Sequence, residues 1–239
     1  MNSTTFTTIM PTTMPTTTPS TTASNNILIT GFEPFNGEHI NPSWECIKDF
    51  QGQQLKGGEE IHTLVLPCAF DDAIHVLEQA VRQLQPRLVI CVGQAGGRSD
   101  ISLERVAINM NDARIPDNNG AQPIDRLIQK NGPVAYFSTL PVKAIVAALH
   151  KANIPASVSY TAGTYVCNHI FYALMHHAQA WAKIEKAGFI HIPYLPQQTC
   201  QRPNTPSMSP SIISEGLRLA LETALDTQVD IHTIGGSLC

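Results

Sequence analysis

The sequence predicts an α/β fold: one domain on a mainly parallel, twisted sheet with helices on both faces. Three observations carry that prediction. Short apolar runs ending in Gly or Pro alternate with segments that are apolar at three- and four-residue spacing, an alternation that a parallel sheet produces. The run Leu88-Val-Ile-Cys-Val92 is apolar throughout, as a strand buried on both faces must be. Residues 26–239 fit one domain with a sizeable core.

Taken in order, Asn26-Ile-Leu-Ile-Thr30 reads as a buried strand feeding a tight loop at Gly31. The loop Gly31-Phe-Glu-Pro-Phe-Asn-Gly37 carries Phe32 and Phe35, and Asn41-Pro-Ser-Trp44 follows, with Ser43 placed to cap a helix reaching Phe50. Ile61 to Leu66 is a second strand. Asp71 opens an amphipathic helix through Ile74, Leu77, Val81 and Leu84. The strand at Leu88 runs into Gly93-Gln-Ala-Gly-Gly97. Ile101 to Asn109 reads as one strand, residues 110–133 as loop, and Val142 to His150 as a helix started by Pro141. Ala156 to Thr161 is a short strand, and a helical pattern runs from Asn168 to Lys183. Gly188 to Ile192 is a strand, residues 193–210 a Pro-rich loop, and Ser211 to Leu225 a terminal helix. In parallel sheets ligands gather beyond the C-terminal strand ends. Gly31, Gly93, Gly163 and His191 fall at or just past such ends, so the site is expected where those four loops meet.

Composition removes several function classes. Residues 1–24 hold eleven Thr and three Pro, and no charge precedes Glu33. Such a stretch cannot bury enough apolar surface to order itself, and it lacks the basic start and apolar core of a signal peptide. Residues 1–25 therefore read as a disordered leader. A net charge of −4 with 15 Lys and Arg leaves no basic footprint for nucleic acid. No apolar run is long enough to span a membrane. Six cysteines, at 46, 68, 91, 167, 200 and 239, show no Cys-x-x-Cys spacing, a usage that suits reduced thiols in the cytoplasm.

Cys167 falls where a strand turns into a helix. Free N–H groups and the helix dipole favour negative charge there, and a thiol so placed can drop below its free pKa of ~8.5. Taken by position alone, a cysteine is more often a small buried hydrophobe. Thiol chemistry needs a base that titrates near neutrality, which His191 can supply, and a carboxylate to orient that base, which Glu104 can supply. The bland alternatives are a core histidine at 191 and an ion pair of Glu104 with Arg105 or Arg114. Gly93-Gln-Ala-Gly-Gly97 lacks the G-x-G-x-x-G spacing of a dinucleotide loop. His169, His176 and His177 share a helix without metal-chelating spacing, so they read as packing or surface residues, and no metal or other cofactor is expected.

Two longer motifs then point to a family. One is Gly93-x-x-Gly96-x-x-x-x-Ile101-Ser102-x-Glu104-Arg105-Val106-Ala107-x-Asn109. The other is Ala162-Gly-Thr-Tyr-Val-Cys-Asn168, opened by Ser159-x-Thr161. With Gly31-Phe-Glu-Pro-Phe35, Asn41-Pro-Ser-Trp44 and Phe189-Ile-His-Ile-Pro-Tyr-Leu-Pro196, they make the chain resemble the pyroglutamyl peptidase I family of cysteine peptidases, from Ile27 to about Leu225. The resemblance implies a three-layer α/β sandwich, no metal, a homotetramer, and removal of N-terminal pyroglutamate from peptides through a thioester. It implies Cys167 as nucleophile, His191 as general base and acid, and Glu104 as the group orienting His191. It carries a substrate pocket over to Phe32, Phe35, Asn41, Gln94, Tyr165 and Val166, with Arg114 near the active site. Exposed apolar residues in the 193–208 loop would suit a subunit interface. Asn36 stands where glycine is common in the family, Gln197-Gln198 stand where an acidic residue is often seen, and the leader has no family counterpart. The competing readings are another α/β hydrolase or nucleoside phosphorylase-type enzyme, and a binding protein that lost its chemistry.

Overall fold

The structure is a computed structural model that describes residues 25–181 and 183–236. The expected leader, apart from Asn25, and Cys239 lie outside the described residues. Among the described residues eight strands form: β1 (Asn26–Phe32), β2 (Glu60–Leu66), β3 (Leu88–Gln94), β4 (Ile101–Glu104), β5 (Val106–Ile108), β6 (Ala135–Phe137), β7 (Ala156–Ser159) and β8 (Lys186–Ile192). The helices are α1 (Pro42–Glu45), α2 (Phe70–Leu84), α3 (Val142–Lys151), α4 (Val166–Ala178), α5 (Pro196–Thr199) and α6 (Pro210–Asp226).

Six strands make one sheet in the order β2-β1-β3-β8-β4-β7. The pairs β1–β2, β1–β3, β3–β8 and β4–β7 are parallel, and β4–β8 alone is antiparallel. Strand residues alternate between two cores. One holds Ile27, Ile29, Ile90, Val92 and Ile190 under α1, α3 and α6. The other holds Leu28, Val89, Cys91, Ala187 and Phe189 under α2 and α4. The central strands β1, β3 and β8 are thus covered on both sides, which is why they read as continuous apolar runs. The three-layer α/β architecture is as expected.

Local expectations shift in four places. The segment 101–109 is two strands in two sheets, because Arg105 divides its backbone partners. Its N–H donates to Ser159 of β7, while its carbonyl accepts from Ser138 beyond β6. Hairpin β5–β6 leaves the main sheet there. The predicted helix over 43–50 is only α1 and a 3-10 turn at Lys48–Phe50, and its cap is Asn41, whose Oδ1 accepts from the Ser43 N–H at 3.1 Å. Ser43 instead accepts from the Phe32 N–H at 2.9 Å, so Asn41–Trp44 docks on the first loop. The helix carrying Cys167 starts two residues earlier than its apolar pattern, at Val166, and stops at Ala178. Finally, β7 runs antiparallel to β1, β3 and β8. The loop after it must turn back over the sheet, rather than leaving the same edge as the loops at Gly31, Gly93 and His191.

Candidate active site

Strand register brings the predicted residues together. His191 on β8 pairs with Gly93 on β3 and, on its other side, with Ser102 on β4. Glu104 pairs with Phe189, two positions from His191, so Glu104, Phe189, His191 and Gly93 share one face of the sheet. That is the face covered by α4. A Cβ placed on Gly93 would lie 2.8 Å from Cys167 Sγ and 2.8 Å from the Phe189 ring. Glycine is therefore what lets the thiol settle onto the sheet beside His191.

Glu104 is fully buried, and its Oε1 lies 2.7 Å from His191 Nδ1. A carboxylate only accepts, so Nδ1 carries the hydrogen and Nε2 keeps its lone pair. Burial holds the His191 pKa below its ordinary 6.5, with Glu104 opposing. The thiol of Cys167 is pushed up, mainly by burial and further by Cys68 and Glu104, with Arg98 opposing. Burial thus favours the neutral form of each group, a thiol and an imidazole. Tyr165, the N-cap of α4, offers no side-chain bond to the first turn, so amide N–H groups at the helix start stay available to an anion.

A family model described as pyroglutamyl peptidase matches residues 25–227. The chain belongs to the pyroglutamyl peptidase family. Pyrrolidone-carboxylate peptidase 1 of Photorhabdus laumondii subsp. laumondii is 54% identical over 215 residues, covering 88% of this chain and 97% of that protein. The pyrrolidone-carboxylate peptidase of Yersinia pseudotuberculosis serotype O:3 is 53% identical over 212 residues, covering 89% and 98%. Among solved structures, pyroglutamyl peptidase I from Bacillus amyloliquefaciens superposes with a TM-score of 0.84 at 49% identity, covering 87% of this chain and 98% of that one. A mutant pyrrolidone carboxyl peptidase from Pyrococcus furiosus superposes with a TM-score of 0.82 at 43% identity, covering 84% and 98%. The chain is accordingly a hydrolase of the cysteine-peptidase class.

The remaining predicted site residues divide by what their side chains already do. Phe32 is buried against Phe189, and Phe35 lies against Tyr165 with ring centres 6.1 Å apart. Tyr165 also meets Phe70 edge-on and donates to the Pro116 carbonyl at 3.1 Å. Val166 is fully buried at the start of α4. Gln94 accepts through Oε1 from Gln198 at 2.9 Å. Asn41 is occupied, since it donates to the Glu33 carbonyl and its Oδ1 accepts from Ser43, which makes it a brace for the first loop. Arg114 is exposed, and its side chain makes no hydrogen bond or ion pair among the described residues. Glu104 pairs with neither Arg105 nor Arg114. Arg105 lies over the Phe137 ring instead.

The cation on Glu104 is Arg98, whose Nη1 donates to Oε1 at 2.7 Å. The sequence does not mark it: Arg98 falls at a variable position of the Gly93-x-x-Gly96-x-x-x-x-Ile101 motif, in a loop expected at the site for its glycines alone. Glu33 was also missed. Its Oε1 accepts from the Cys68 N–H at 3.0 Å and from Asn118 at 2.7 Å, tying the first loop to two others. Asn36 takes the left-handed conformation (φ 52°) at the family's glycine position, a conformation asparagine tolerates better than most residues. An open cavity of about 640 Å³, lined by Phe70, Asn111, Arg126 and His169, contains none of the three catalytic candidates. The three helix histidines pack as expected: His169 against Asn111, His176 against Tyr136 and His177 against Glu78.

Proposed function

We propose that this chain removes N-terminal pyroglutamate from peptides, with Cys167 as nucleophile, His191 as base and acid, and Glu104 as the group that orients His191. The observation that supports it best is the stacking of Cys167 Sγ on Gly93, whose register partner is His191, with Glu104 bonded to the far nitrogen of that ring. In the reaction so read, Nε2 of His191 takes the thiol proton as sulfur attacks the pyroglutamyl carbonyl. The N–H groups at the α4 start hold the oxyanion. The imidazolium gives its proton to the leaving amine, a thioester remains, and water deprotonated by His191 releases pyroglutamate.

A pyroglutamyl group presents a neutral lactam, so its pocket needs apolar walls and a few polar groups rather than a carboxylate or metal. Phe32, Phe35, Tyr165 and Val166 supply the walls. The Gln94 amide, held through its oxygen by Gln198, has its NH₂ for the lactam carbonyl. Asn41 contributes by fixing the loop that carries both phenylalanines, and Arg114 by adding positive charge at the rim. We also propose a cytoplasmic homotetramer. The interface expected in the 193–208 loop is not favoured, because Leu195 and Met208 are buried. Exposed apolar residues lie instead at Ile124, Leu127, Val134 and Phe137.

The test is hydrolysis of a pyroglutamyl-coumarin amide beside an alanyl-coumarin amide, with and without iodoacetamide. Release from the first alone, abolished by alkylation and in folded Cys167→Ser, is the expected result. Turnover that survives in Cys167→Ser would remove Cys167 from the nucleophile role. Glu104→Gln should lose most turnover while Cys167 still alkylates.

A further inference from the structure

We propose that Arg98 is a positioning residue of the thiol reaction: one guanidinium that holds Glu104 behind His191 with one arm and the loop entering the nucleophile's helix with the other. The inference rests on the Cys167–His191–Glu104 reading above. Nη1 donates to Glu104 Oε1 at 2.7 Å, and Nη2 donates to the Thr161 carbonyl at 2.9 Å. Thr161 stands in the segment 160–165 that turns back from β7 to deliver Cys167. One side chain therefore spans the two halves of the machinery, which come from chain segments far apart in sequence.

The electrostatics make this more than a tie. Glu104 is fully buried, and both of its donors, Arg98 and His191, converge on Oε1. Oε2 is buried with no hydrogen-bond partner among the described residues. A buried carboxylate stays ionised only where a cation offsets its lost hydration. With His191 neutral at rest, the only permanent cation on Glu104 among the described residues is Arg98. Without it, Glu104 would lean wholly on His191, raising the affinity of the ring for a second proton and so removing the free lone pair that accepts the thiol proton. The rest of the loop is braced separately, by Asp112 N–H to the Thr164 carbonyl and by Thr164 Oγ1 to the Asp112 carbonyl, so loss of Arg98 should leave the fold standing. Lysine is not an equivalent: an ammonium on a flexible stem restores charge but does not present a fork to two oxygens at once.

The experiment measures kcat and KM for the pyroglutamyl-coumarin amide across pH in the wild type, Arg98→Gln and Arg98→Lys, with Cys167→Ser as control and melting curves on each. For Arg98→Gln, kcat should fall about 10- to 100-fold, as for a misplaced catalytic group, with KM little changed. The acidic limb of its kcat/KM profile should move up by about one pH unit. Arg98→Lys should recover the position of that limb but not the full kcat. A folded Arg98→Gln with wild-type kcat and acidic limb overturns the proposal. So does a pair of variants whose only change is a lower melting temperature. If Arg98→Gln does not fold, Arg98→Lys decides: wild-type kcat there removes any need for the two-armed geometry. An active Cys167→Ser would instead bring down the underlying mechanism, which keeps the two failures apart.

Discussion

Gly93→Ala adds a single carbon beneath the nucleophile. That carbon would sit 2.8 Å from Cys167 Sγ, 2.8 Å from Cζ of Phe189 and 3.0 Å from its Cε1. Comfortable carbon contacts lie near ~3.5–4.0 Å, so the neighbours must retreat by about 0.5–1.2 Å. Gly93 is not among the positive-φ glycines, so its backbone accepts alanine and the effect is purely steric. Phe189 is fully buried between Phe32, Phe171 and His191, with ring centres 6.5, 5.9 and 4.8 Å away, and has nowhere to go. Cys167 is half-buried and is the group that yields. A nucleophile displaced by about 1 Å costs about a hundredfold in rate, or about 2.7 kcal/mol on the barrier. Overpacking of this kind costs about 1–3 kcal/mol in stability. The assay is kcat/KM on the pyroglutamyl-coumarin amide together with a urea unfolding curve. Activity within about twofold of wild type, with unchanged stability, would refute the placement of sulfur over this glycine.

Three further substitutions probe the frame. Asn168 is fully buried, accepts from the Ile108 N–H, and donates to the Ile108 and Met110 carbonyls, tying α4 to β5. Asn168→Ala strands the Ile108 N–H and the Met110 carbonyl, while the Ile108 carbonyl keeps the Met110 N–H, and should lower unfolding free energy by about 2–4 kcal/mol in urea titrations. His169 is buried, and burial depresses its pKa from 6.5 to about 4. The unfolded chain therefore binds the extra proton first. Stability is complete above pH 6.5 and drains away as pH falls through about 4, by about 3 kcal/mol in all. His169→Gln should flatten that part of the stability–pH curve; a curve as steep as wild type would place the titration elsewhere. Asp230 accepts from the N–H groups of Lys143 and Ala144 at the start of α3, where Pro141 offers no side-chain cap. Asp230→Ala should cost about 1 kcal/mol by thermal melting.

Much of the frame is legible because burial on two faces leaves a signature in the chain: Leu28 and Ile90 sit in runs with no polar interruption, and Ile190 in one broken only by His191. The elements that escape notice are those whose backbone changes partner. Residues 101–109 look like one strand by parity. Only the tertiary fold reveals that Arg105 gives its N–H to one sheet and its carbonyl toward another. β6 is three residues long and has no pattern of its own. Helix α4 begins two residues before the apolar rhythm read for it, at Val166, which is fully buried in the core under α2 and α4 with Cys167 packed against that core.

For the site, residue types announced themselves but their partners did not. A thiol, an imidazole and a carboxylate at 167, 191 and 104 can be picked out by the chemistry they could do together. That they meet depends on register. His191 opposes Gly93, and Glu104 is displaced by two positions, so all three residues lie on one face of the sheet. A slip of one residue in β8 would send His191 to the opposite face, under α3 and α6, and leave Glu104 buried without its imidazole. Arg98 belongs to this layer of information. Nothing about an arginine after two glycines marks it, and its importance arises only once β4 runs antiparallel to β8 and the β7–α4 loop has to fold back within its reach. The antiparallel pair, the one irregularity in an otherwise parallel sheet, is thus what places a carboxylate behind the histidine and a cation behind the carboxylate.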